Sequence, residues 1–157
     1  MPALIAFFFA ALFGGYSTMN VAQQDALKTD RTAQSQAAYA MSYKTALVAC
    51  LKVGSTLCPQ SGSRLNEQAL SAYLPSGLAA SSVKGDWAHV VAGEQLFVYF
   101  VGPASASGVL ESLYQNTGKS QTVGHSNGSS LISARGVNTG ITVPASIPVG
   151  AVVIYGK

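Results

Sequence analysis

Charge is scarce in this sequence. Nine Lys and Arg and six Asp and Glu make up 10% of its 157 residues, against about 25% in an average soluble protein. The bases are scattered singly, so a pI near 9.0 arises without the basic run or patch that a nucleic-acid surface needs. The aromatics are not interleaved with bases either, which removes support for single-strand stacking. Histidine and cysteine are as sparse, with two of each. Two cysteines without His or carboxylate neighbours make a poor zinc site, and their spacing is not C-x-x-C. No H-E-x-x-H, Walker A or G-x-G-x-x-G pattern occurs, and the six acids form no obvious carboxylate pair. The expectation is a protein that is not an enzyme, with no cofactor, no metal, no small-molecule substrate and no nucleic-acid partner.

What the chain has in excess is hydrophobicity: 48% apolar residues and a mean hydropathy of +0.30. The first charged side chain is Asp25. Before it, Ala3 to Ala22 reads ALIAFFFAALFGGYSTMNVA, and twenty helical residues rise about 30 Å, the thickness of a bilayer core. Three readings compete for this run. A cleavable signal peptide needs a basic n-region and a small-x-small site, and here only the α-amine is basic and Ala10 to Gly15 is a mediocre site. A buried core helix would need one polar face. An uncleaved anchor over residues 1–24, touching the membrane through 3–22, is the preferred reading. Its second half is less greasy, and Gly14, Gly15, Ser17, Thr18 and Asn20 have the small, weakly polar character of a helix–helix interface inside a membrane.

The flanking charges Asp25, Lys28, Asp30 and Arg31 leave orientation open. Cys50 and Cys58 are more informative. The stretch LVACLKVGSTLCPQ reads as a helix end, a glycine break and a turn, which brings the two sulfurs together across a small loop. A structural disulfide is favoured over two buried thiols, and it places the domain in an oxidising compartment, a bacterial periplasm.

From Val21 to Val53 there is neither Gly nor Pro, so the anchor helix should continue as a helical stalk over residues 25–53. Tyr39, Tyr43, Leu47 and Cys50 share one face, with Gln34, Ser42 and Lys52 opposite. The apolar face before Tyr39 is narrow, which suggests packing on another chain. Gly54 supplies the stop. A second helix is predicted from Ser63 to just before Pro75. Trp87 to Ala92 and Gln95 to Val101 should form a hairpin around Gly93-Glu94, with LFVYFV covered on both faces. A third helix follows Pro103, carrying Val109, Leu110, Leu113 and Tyr114, and closes at Gly118. Asn127-Gly128 predicts a second hairpin through a type I′ turn, and Ala151 to Tyr155 a last strand. The fold class is α+β: a long membrane-anchoring helix leading into a small antiparallel sheet with flanking helices, an extracytoplasmic domain over 54–157. His89, with Asp86 and Trp87 nearby, reads as a packed side chain and not as half of an acid–base pair. His125 beside the turn should face solvent.

A hydrophobic N-terminal helix, an Ala-rich stalk and an α+β head resemble type IV pilins and their accessory proteins. The C-terminal stretch GVNTGITVPASIPVGAVVIYG (Gly136 to Gly156) is similar to that of the PilM family of type IVB, plasmid thin-pilus systems. That resemblance implies a component of a pilus assembly apparatus in conjugation-linked systems, seated in the bacterial inner membrane. It also implies other pilus assembly proteins or pilins as partners, and it brings no catalytic residues. A minor pilin is the alternative within the same system, although no basic leader precedes the run and position five is Ile5 where pilins carry Glu. A secreted enzyme or adhesin with a signal peptide is the alternative of another class.

Overall fold

The computed structural model describes residues 2–54, 58–59, 61–62, 70–75, 87–101 and 107–156, with side chains from Leu27 onward. Two compact units result, Met1–Thr32 and Ala33–Lys157. The first consists of helix. In it Thr32 Oγ1 donates back to the Lys28 carbonyl, a bond that helical hydroxyls make readily. Helix α1 spans Pro2–Val53, as the absence of Gly and Pro from residue 21 onward predicts. It ends at Gly54, whose φ of 65° suits a glycine at a helix C-terminus. Among the described residues no helix is long and apolar enough to cross a membrane. The side chains of residues 3–22, on which the expected anchor falls, lie outside the described ones.

The second unit is an α+β domain built on one six-stranded antiparallel sheet, with β1 (Trp87–Ala92), β2 (Gln95–Phe100), β3 (Val123–Ser126), β4 (Ser130–Ser133), β5 (Asn138–Thr142) and β6 (Val152–Gly156). The spatial order is β1-β2-β6-β3-β4-β5, so the last strand inserts between the two hairpins. A short helix, α2 (Ser107–Asn116), precedes β3. It closes as expected at Gly118, where Lys119 N donates to Tyr114 O and Gly118 N to Gln115 O, the paired bonds of a Schellman motif.

Period-two alternation sorts the strands into two cores. On one face Trp87, Leu96, Val98, Phe100, Val123 and Ile154 pack with Tyr39, Tyr43, Leu47 and Cys50 of α1 and Leu113 of α2. On the other, Ala88, Val90, Phe97, Tyr99, Leu131 and Val153 lie under Val143 and Ile147 of the segment between β5 and β6. The run LFVYFV is therefore covered on both sides, as predicted.

The fold departs from the sequence reading in several places. Ala33 and Ala37 are buried in the core that α1 shares with the sheet and α2, so α1 packs within its own chain before Tyr39. Alanine permits this by close approach: a Cβ on Gly108 of α2 would sit 3.3 Å from the Ala33 Cβ. The second hairpin forms, but one residue out of step with a type I′ Asn-Gly turn. Ser126 pairs with Leu131 and Asn127 N donates to Ser130 O, which leaves Gly128 and Ser129 as the loop. Only Gly128 has positive φ, 97°, the pattern of a type II′ turn. Asn127 Oδ1 instead accepts from the amides of Ser129 and Ser130 at 3.0 and 2.7 Å, the side-chain mimicry that makes Asn a turn former. His125 is half-buried rather than solvent-facing. Strand β5 was not expected, because an edge strand with alternating exposure and a glycine at φ 74° carries no apolar run. Of the second predicted helix, residues 63–69 lie outside the described residues. Leu70 is helical and buried, and the chain turns through residues 71–73 before Pro75.

Candidate functional site

The features that bear on function in the second unit gather where α1 ends against the β1–β2 hairpin. The expected disulfide is present: Cys50, fully buried in the last turns of α1, is bonded to Cys58. Pro59, Ser61 and Gly62 then pass along the outer edge of β1. His89 Nε2 lies 3.2 Å from the Pro59 carbonyl, and only a nitrogen bearing hydrogen can bond there, so Nε2 donates and Nδ1 is left as the acceptor. Gly62 N donates to His89 O at 2.8 Å, and Val91 N donates to Ser61 Oγ, also at 2.8 Å.

His89 is wholly inaccessible to solvent. Among the described residues its Nδ1 and the hydroxyl of Tyr43 are buried without a hydrogen-bond partner, their rings 6.4 Å apart between centroids. Burial pushes the His89 imidazole below its ordinary 6.5, with the Pro59 carbonyl pulling weakly the other way. Burial likewise pushes the Tyr43 phenol well up, and neighbouring Tyr39 adds to this. Both groups are therefore neutral near pH 7. Asp86, the carboxylate that could have made an acid–base pair with His89, lies outside the described residues.

Beside this edge is an open apolar groove of about 410 Å³. Val48 and Leu51 of α1 form one wall, Val91 and Leu96 the other, with Lys52 and Glu94 at the rim. Leu51 is exposed there by 38%. Among the described residues the groove lining carries no cysteine, serine or histidine, and no cluster of His, Cys, Asp and Glu could hold a metal. What the region offers is an apolar surface with one charge of each sign.

Further along α1, Lys44 Nζ donates to the Tyr155 carbonyl at 2.9 Å, and partial burial holds its ammonium below the ordinary lysine range. Gln36 Oε1 accepts from the Trp87 indole. Together these bonds tie α1 to β6 and β1. Gly14, Gly15, Ser17 and Thr18, the residues expected at a membrane helix interface, lie in α1 by their backbone, and their side chains are outside the described ones. Sequence reasoning missed Gln36, Pro59 and Ser61. Ser-Gly after Cys-Pro was a readable turn signal, whereas nothing local marks Gln36 as the partner of a residue 51 positions away.

The PilM family model matches residues 7–155. The chain belongs to the PilM family. Its fold is similar to the crystal structure of PilM from Escherichia coli B7A, with a TM-score of 0.52 at 19% identity, covering 85% of this chain and 94% of that one. At that identity the likeness concerns the fold. No curated protein is significantly similar in sequence to this PilM-family chain.

Proposed function

We propose that this PilM-family protein is a non-catalytic, membrane-anchored component of a type IV pilus biogenesis apparatus, of the conjugative thin-pilus kind. In this reading residues 3–22 span the bacterial inner membrane and the sheet domain lies in the periplasm. The protein acts by binding other pilus assembly proteins or pilins through its membrane helix.

The observation that carries this reading is family membership over residues 7–155, a range that takes in most of the uncharged N-terminal run. Two features support it. The run contains no charged residue before Asp25 and places Gly14, Gly15, Ser17 and Thr18 within about one helical turn, where small residues let membrane helices approach closely. The Cys50–Cys58 disulfide suits an oxidising compartment.

The test is a comparison of two sets of variants in cells that assemble the pilus. Gly14→Leu with Gly15→Leu is expected to abolish assembly while the sheet domain stays folded and the protein stays in the alkaline-carbonate-resistant membrane fraction. His89→Gln is expected to leave assembly intact. Normal assembly with both glycines replaced, or a shortened soluble form recovered from the periplasm, would overturn the reading.

A further inference from the structure

Strand β1 is one edge of the sheet, and its sequence, WAHVVA, has neither Pro nor a charged residue, the usual means by which edge strands resist pairing. Ala92 faces Gln95 across the two-residue turn. By the alternation of an antiparallel ladder, Ala88, Val90 and Ala92 therefore bond to β2, and the backbone groups of His89 and Val91 point away from it. Three of those four outward groups are met by the segment that follows Cys58. Gly62 N serves His89 O, while Ser61 Oγ accepts from Val91 N at 2.8 Å and donates to Val91 O at 3.3 Å. One hydroxyl thus does for Val91 what a neighbouring strand would do. The opposite edge, β5, protects itself, with Gly140 N bonded to Asn138 Oδ1 and Ile141 N to Thr139 Oγ1.

The segment on β1 begins at Cys58, which is fixed to the buried Cys50. We propose that the Cys50–Cys58 disulfide is a latch. When it is closed, Pro59, Ser61 and Gly62 are held on β1. When it is opened to two thiols they release, and the bared edge pairs with β1 of a second copy of the chain. The second copy fits because its β1 is uncharged too. An antiparallel pair centred on Val90 would set His89 of each copy against Val91 of the other, and so satisfy all four outward groups on both.

Opening needs a dithiol reductant of the C-x-x-C oxidoreductase class. One of its thiolates attacks Cys58 Sγ, the more accessible sulfur, and Cys50 departs as thiolate and takes a proton. The second thiol of the reductant then resolves the mixed disulfide. Two electrons and two protons reach the cysteines, and the reductant leaves as its own disulfide.

The experiment uses the full chain in detergent micelles, oxidised or reduced with dithiothreitol, followed by amide hydrogen exchange and by light scattering after size-exclusion chromatography. On reduction, exchange in peptides covering Gly62 before dimerisation is expected to rise at least about tenfold, with β3, β4 and β6 unchanged, and the protein mass per particle to double. Ser61→Ala in the oxidised chain should speed exchange at Val91 alone. Val91→Pro, at a position whose amide does not serve β2, should abolish the doubling. Unchanged exchange on reduction, equal loss of protection in all six strands, no doubling, or doubling that survives Val91→Pro would each overturn the proposal.

Discussion

The indole Nε1 of Trp87 donates to the side-chain oxygen of Gln36 at 2.9 Å, joining the first residue of β1 to α1. Trp87 is fully buried, so the donor has no water to fall back on. Gln36→Leu should leave the N–H unmet and cost about 1–3 kcal/mol. Urea unfolding of the two single variants Gln36→Leu and Trp87→Phe and of the double variant should show a favourable coupling between the sites. Strict additivity would mean that the bond contributes nothing.

Gly124 of β3 has no room for a side chain. A Cβ there would run into the backbone carbonyl of Ile132 on β4, and a paired strand cannot retreat. Gly124→Ala should destabilise the domain by about 3 kcal/mol, whereas Gly108→Ala, which meets only the Ala33 methyl at 3.3 Å, should cost far less. Thermal unfolding of both variants checks the contrast, and equal losses would contradict it.

These two positions show how far the sequence could be read. Both hairpins, the glycine stops at Gly54 and Gly118 and the doubly covered β2 follow from local chemistry, since turn residues and uninterrupted apolar runs lie within a few positions of what they specify. The Gln36–Trp87 bond, the Pro59–His89 contact and the insertion of β6 between β2 and β3 join residues far apart in the chain. Periodicity carries no information about such pairings. The disulfide was legible because its two cysteines flank one short turn, and the role of Ser61 was not, because a serine in a turn looks like any other.

Acid should weaken the domain through His89. Burial sets its pKa below 6.5 in the folded state, while the unfolded chain takes up a proton at the ordinary value. The unfolded state therefore binds more protons as pH falls below about 6.5. Stability is full above that pH and is lost as the pH drops toward the folded pKa. Tyr43, which faces His89 from α1, stays protonated throughout and adds no slope. His89→Gln, whose amide can still donate to Pro59 O, should flatten the curve between pH 7 and 5. Identical curves for both proteins would exclude His89 as the cause.

Asn127 should matter through its side-chain oxygen, which accepts from Ser129 N and Ser130 N. Asn127→Ala removes the acceptor of both bonds and is expected to cost about 1 kcal/mol. Asn127→Asp, which keeps them, should cost less. The midpoints of denaturant unfolding of the two variants decide this, and an equal shift for both would point to backbone preference instead.

Binding of pilus proteins through the N-terminal helix, as proposed, is open to in-cell photo-crosslinking. A photoreactive residue would be placed at Ser17 in one strain and at Thr45, exposed on the same helix, in another, with the complete pilus machinery present in both. A discrete adduct from Ser17 that contains a second pilus assembly protein or a pilin is expected, and none from Thr45. Piliated cells that give no protein adduct from Ser17 would contradict it.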